Sequence, residues 1–288
     1  MLSIQLHQAV NLLLIALLGL LTAYIYSSWI DIVDILLFAI FIEHSLLLFN
    51  KNREFHLSYS AISTAIGIIV LLYSSYLWVY FIAIFFALFQ KHFLLLEGRH
   101  IFNPSNFAIV IILLLFYNKA HTITGQLGDE LWLSMVVFTL AMAILVRVDR
   151  WIISLAFLGS YLLFQYYFII FYDPTVIFED IYRRLYSVTF MLFIYFMLTD
   201  PPVTPNNRWL QLLYGVSTSL LVTMLDRFYG YRVQHLFMVV FFLSYVVGVS
   251  RVKEKQKHIK MIVILFLAVL FILGYIEYQE PYYFEMNG

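Results

Sequence analysis

Gly98-Arg99-His100-Ile101-Phe102-Asn103-Pro104-Ser105-Asn106 interrupts an otherwise lipid-soluble sequence, and Thr199-Asp200-Pro201-Pro202-Val203-Thr204-Pro205-Asn206-Asn207 interrupts it again. Each stretch follows a strongly apolar aromatic run and precedes another, so helix-breaking backbone stands where two hydrophobic segments meet. Within hydrocarbon, backbone that leaves the helix exposes unpaired N–H and C=O groups, each costing several kcal/mol unless protein shelters it. Both breaks are therefore expected to be buried in protein or to line a cavity. Their polar residues are the site candidates.

The surroundings leave little choice of class. Of 288 residues, 63% are hydrophobic and 12% charged, and the mean hydropathy is +0.90, which no soluble domain of this size keeps dispersed in water. The 17 basic and 17 acidic residues cancel, so charge makes no case for nucleic acid. Cysteine is absent. That excludes disulfides, thiolate-held iron–sulfur clusters and cysteine-based zinc sites, and no metal site is expected.

Apolar runs of near-spanning length recur at Ala9–Ile30, Ile32–Phe49, Leu57–Ser75, Leu77–Gln90, Pro104–Tyr117, Leu131–Val146, Trp151–Tyr172, Leu185–Leu198, Trp209–Leu225, Val233–Ser250 and Met261–Ile276. The expected fold is all-α: a polytopic membrane bundle of ten or eleven transmembrane helices forming one integral domain over residues 1–288. Pro104 and Pro205 lie 101 residues apart in similar settings. This suggests repeat-like halves of about 1–150 and 151–288, each with a broken helix, and ligand sites often sit between such breaks. The runs Pro104–Tyr117 and Leu185–Leu198 are short, as half-helices would be.

With the N-terminus inside, the inner loops collect Lys51, Arg53, Lys91, Arg99, Arg147, Arg150, Arg208, Arg251, Lys253, Lys255, Lys257 and Lys260, most of the basic residues, as the positive-inside rule requires. Both breaks then fall at cytoplasmic helix ends. Asp226-Arg227 falls in an outer loop, where solvent or headgroups would hold it.

In the first break, Asn103 and Asn106 offer donors and acceptors, Arg99 and His100 add charge or a switchable proton, and Pro104 can start the next helix. A helix N-terminus beside amides suits a planar hydrogen-bonding ligand or an anion. Asn103 equally suits a plain helix cap, with Arg99 snorkelling to headgroups. In the second break, Thr199 and Asp200 end a helix, and three prolines hold the backbone through Thr204 extended, so its free carbonyls need partners. Asp200 could accept from a ligand, or pair with Arg208 or Arg99 to pin the halves together. Glu43-His44, inside the second span, is a candidate ion or proton path, or simply a histidine bonded to a neighbouring helix beside a neutral Glu43. His44, His92 and His235 lack paired spacing on two helices, so haem is not expected.

The two breaks, in this order and spacing, resemble the membrane subunits that share the fold of the B subunit of the sodium-pumping NADH:quinone reductase and the D subunit of the Rnf electron-transport complex. The family pattern His-x-Phe-Asn-Pro is met as His100-Ile101-Phe102-Asn103-Pro104, and a later Thr-Asp-Pro-Val stretch loosely as Thr199-Asp200-Pro201-Pro202-Val203. Thr124-Gly125-Gln126-Leu127-Gly128-Asp129-Glu130-Leu131-Trp132 is similar to the family's outer connection. The resemblance implies an inverted-repeat bundle with flavin inside the membrane subunit and electron transfer coupled in some relatives to ion transport. Those relatives carry a Ser/Asp-Gly-Ala-Thr type motif whose threonine holds FMN covalently. No such motif occurs here, and Thr122 and Thr124 lack its context. A noncovalent FMN or riboflavin held by Arg99, His100, Asn103, Asn106, Thr199, Asp200 and Thr204 remains, with quinone as a second ligand.

The expected function is thus a flavin-dependent electron-transport subunit of a bacterial inner membrane, acting with redox partner subunits. Two other readings use the same bundle: a channel or carrier for a small polar solute or ion, and a structural or biosynthesis-associated protein that has lost the cofactor.

Overall fold

The computed structural model describes residues 4–22, 27–49, 59–122, 131–172, 185, 187–252 and 260–275. Among them run the helices α1 (Ile4–Leu21), α2 (Trp29–Phe49), α3 (Tyr59–Leu71), α4 (Leu77–Phe93), α5 (Pro104–Phe116), α6 (Leu131–Val148), α7 (Trp151–Phe171), α8 (Val188–Met197), α9 (Arg208–Tyr229), α10 (Gln234–Arg251) and α11 (Lys260–Tyr275). Each apolar run has its helix. Four of them, α2, α6, α7 and α10, are long and apolar enough to cross a bilayer alone. Side chains such as Leu37, Phe41, Leu163 and Phe171 stand largely outward, a surface that lipid and not water can cover. The chain is a helical membrane bundle.

The first helix ends earlier than expected and the second begins at Trp29, because Ser28 and Asp31 form a reciprocal cap. The Asp31 N–H donates to Ser28 Oγ at 3.1 Å and the Ser28 N–H to Asp31 Oδ2 at 3.2 Å. A polar pair within a long apolar run splits it.

α5 and α8 are indeed short. The 13 residues of α5 rise about 20 Å, well under the roughly 30 Å of hydrocarbon. α8 is buried almost all round, as a helix apolar on every side must be, and its last turn, Phe193–Met197, widens to π geometry, with Leu198 N–H reaching Phe193 O at 2.8 Å.

Close packing sets the frame. α7 and α9 form the most extensive helix contact, followed by α4 with α5. Gly215 makes the first possible, since a Cβ there would lie 2.7 Å from Ile153 O and 3.0 Å from Phe157 N. Gly67 similarly lets α3 approach α5, with Ser105 Oγ only 2.8 Å from where its Cβ would stand. α9 is the least apolar of the long helices because one buried face carries Gln211, Tyr214, Thr218, Ser219, Thr223 and Asp226.

Candidate functional site

The first break opens with a hairpin that an all-α expectation did not include. Leu95–Leu96 pairs with Arg99–His100 across Glu97 and Gly98, both at positive φ (48° and 79°), the geometry of a tight two-residue turn. The ladder turns the chain back over the end of α4 and delivers Arg99 and His100 to the bundle. Gln90, wholly buried on α4, donates Nε2 to Phe102 O at 3.0 Å, and Phe102 stacks on Phe241 of α10 at 4.5 Å and 9°. Asn103 caps α5, its Oδ1 accepting from Asn106 N–H at 3.1 Å, with Pro104 in the first turn.

The second break is tied down from outside its own sequence. Its proline-held carbonyls find the donors they need: Arg251 gives NH1 to Pro202 O at 2.6 Å and NH2 to Thr204 O. Arg150, from the turn between α6 and α7, gives Nε to Thr204 Oγ1 at 3.1 Å and NH2 to Asn206 Oδ1 at 2.7 Å. Burial lowers the Arg150 pKa, and the Asp149 carboxylate opposes that shift. Asn207 caps α9 through Trp209 N–H.

The two breaks meet. Asn103 Nδ2 donates to Asp200 Oδ2 at 2.9 Å, and His100 Nε2 stands 3.8 Å from the same oxygen. Beside them lies a cavity of about 310 Å³, lined by His100, Asn103 and Pro104 from the first break and Asp200, Pro201 and Pro202 from the second. Ser60, Ser63 and Thr64 of α3 add polar edges, and Leu192, Phe196 and Met197 of α8 an apolar wall. That volume lies at the small end of ligand pockets, and the mixture of one apolar wall with a few convergent polar groups is their usual composition. Asp200, an acceptor only, and the Asn103 amide could hold the donor and acceptor edges of a planar heterocycle.

The other expected site residues divide. Thr204 is fully buried away from the cavity, bridging Arg150 to Asp200 O at 2.8 Å. Thr199 bonds back to Tyr195 O at 2.7 Å. Both hold backbone. Arg99 faces the adjoining cleft that shares His100. Asn106 sits behind the cap, wholly buried, with neither side-chain polar atom hydrogen-bonded, and the buried Tyr214 OH and Ser244 Oγ face one another. Buried polar atoms without protein partners mark places where water or a ligand completes the set.

Several expectations are corrected. Asp200 does not pair with Arg208, which instead stands 3.7 Å from Asp149. Glu43 reaches Lys91 at 2.7 Å and His92 at 2.8 Å across to α4, while His44 Nδ1 lies 2.7 Å from Ile40 O of its own helix. Consecutive helical residues point apart and cannot face one another. Asp226 is no solvated loop residue. It is buried in α9, 2.7 Å from His235 Nδ1, with Gln165 Nε2 at 3.3 Å. Thr124 and residues 123–130 lie outside the described residues. Arg150 and Arg251, which the sequence shows among the inner-loop basic residues, prove to be the anchors of the second break, and no local signal distinguished them.

A polytopic helical bundle whose two breaks share a cavity at one end defines the class: an integral membrane protein with a cavity between its two helix breaks. The chain belongs to the NQR2, RnfD, RnfE family, whose model matches residues 115–260, and so is a membrane subunit of the Nqr and Rnf type. The match includes Thr199–Val203 and begins after His100–Pro104. No curated protein matches the chain.

Proposed function

We propose that this chain carries electrons as the membrane subunit of a flavin-dependent electron-transport system, with a noncovalent FMN or riboflavin in the cavity between the breaks and quinone as a second ligand class there. The observation that supports this reading is the convergence of Asn103 and Asp200, from breaks 97 positions apart, on one cavity. Family membership supports partner subunits as the source and sink of the electrons. The basic residues favour a bacterial inner-membrane orientation with the N-terminus and both breaks on the cytoplasmic side. Gently purified protein should show oxidised-flavin absorbance, diminished in Asn103→Leu and Asp200→Leu. Colourless protein that takes up no added riboflavin or FMN would overturn the reading.

A second reading has its own support in the orphaned buried amide of Asn106, which suits a hydrated path for a small polar solute or ion. Uptake by proteoliposomes in the absence of any electron donor would favour it.

A further inference from the structure

Arginines from three separate segments gather at the break end of the bundle: Arg99 from the hairpin, Arg150 from the α6–α7 turn, Arg251 from the end of α10. Arg99 and Arg150 both lie close enough to repel the charge of Arg251. Arg150 donates to Thr204 Oγ1, Asn206 Oδ1 and Asp149 O, and Arg251 to Pro202 O and Thr204 O. Every one of those acceptors is a neutral oxygen. They fix two guanidinium planes, and the Asp149 carboxylate offsets the Arg150 charge without forming an ion pair with it.

The nearby acids have their direct partners elsewhere, and Asp149 acts on Arg150 only through space. Glu43 holds Lys91 and His92, Asp149 is nearest Arg208, and Asp200 takes Asn103 and stands near His100. Glu97 lines only the groove on the Arg251 side of Arg99. Among the described residues no carboxylate pairs with Arg99, Arg150 or Arg251, and the exposed Arg99 side chain makes no hydrogen bond. Between Arg99 and Arg150 opens a cleft of about 420 Å³ that Lys91, His100 and Asn206 also line, with no acidic residue on its walls.

We infer that this cleft binds a phosphate group, with buried Arg150 as the preset fork and Arg99 as the closing arm. A guanidinium held in plane by neutral partners keeps outward N–H groups suited to the bidentate geometry of phosphate oxygens. His100 and Asn206 supply further donors. The same chemistry serves a lipid phosphate headgroup and a free phosphate. The inference does not rest on flavin binding, and its probes contain none.

The test uses the full chain in phosphatidylcholine nanodiscs. One arm titrates inorganic phosphate by calorimetry; the other adds phosphatidic acid to the disc and reads retained lipid by native mass spectrometry. At least one probe should bind, about tenfold more weakly in Arg99→Gln, as loss of a charged hydrogen bond implies, with recovery in Arg99→Lys and no change in Arg208→Gln. Phosphate binding identifies a soluble source, and phosphatidic acid retention alone identifies the lipid. Unaltered melting of Arg99→Gln confirms that the variant is folded. Failure of both probes, or equal effects of Arg99→Gln and Arg208→Gln, overturns the inference.

Discussion

Asn103 and Asp200 lie 97 positions apart in sequence and 2.9 Å apart in space, joined by a hydrogen bond from an amide to a carboxylate. Asn103 spends its oxygen capping α5 and its nitrogen on Asp200, so one side chain both starts a half-helix and locks it to the opposite break. A hydrogen bond to a charged group contributes about 1.5–3 kcal/mol. A double-mutant cycle with Asn103→Ala and Asp200→Ala, read by thermal unfolding in detergent, should give a coupling energy of that order. Strictly additive single effects would show that the contact holds nothing.

Thr204 lies at the centre of the second break. Its hydroxyl accepts from Arg150 and donates to Asp200 O, so Thr204→Val, nearly isosteric, leaves a buried guanidinium N–H without its acceptor. The expected loss is about 1–3 kcal/mol of stability. Thr204→Ser, which keeps the hydroxyl, should recover most of it. Equal melting temperatures for the Val and Ser variants would remove Thr204 from this role.

These relationships were unequally visible in the sequence. Asparagine and proline between two apolar runs have few meanings in a bilayer, so Asn103, Pro104 and Asp200 announced a sheltered break. Alternation of apolar runs likewise anticipated each of the long helices among the described residues, though not all of their ends. Arg150 was not legible, because its acceptors stand 54 and 56 positions later and nothing local separates an anchoring arginine from one that marks topology. Asp226 was misread for a related reason: the last turn of a helix looks like a loop in hydropathy until its partner, nine residues on, is brought beside it.

Two glycines make a contrasting pair. Gly215→Val drives side-chain atoms into the backbone of α7, whose Ile153 O already stands 2.7 Å from an added Cβ. Such overpacking costs about 1–3 kcal/mol. Gly159, on the exposed side of α7, meets nothing within 4 Å, and Gly159→Ala should be neutral or stabilising by up to about 1 kcal/mol through helix propensity. Parallel melts of the two variants distinguish close helix approach from glycine loss as such; equal shifts would refute the packing account.

Burial pushes the His121 imidazole below the 6.5 usual for histidine. The unfolded chain therefore binds a proton at this position over a range where the folded chain does not. Stability from His121 is complete above pH 6.5, falls as pH drops from there through the folded-state value, and levels off beneath it. Melting temperatures recorded between about pH 7.5 and pH 5 should fall less steeply in His121→Gln than in the parent chain. Superimposable pH profiles would show that His121 contributes nothing to the slope.

At the end of the bundle away from the breaks, Asp226 and His235 form a pair with side chains 1% exposed each. α9 runs from the second break to this pair, so the two polar clusters are separated by 18 residues of helix, about 27 Å. Gln165 donates to Asp226 and accepts from Tyr231 OH at 3.1 Å, drawing α7 and the α9–α10 turn into the network. Removing one member of such a pair strands a buried polar or charged partner and costs about 3–5 kcal/mol, whereas replacing both by apolar residues removes the desolvation burden along with the contact. Asp226→Leu and His235→Leu should therefore each destabilise the protein strongly, and the double variant should be markedly less destabilised than the sum. Additive losses would mean that each side chain acts through packing alone, and that the two are neighbours without being partners.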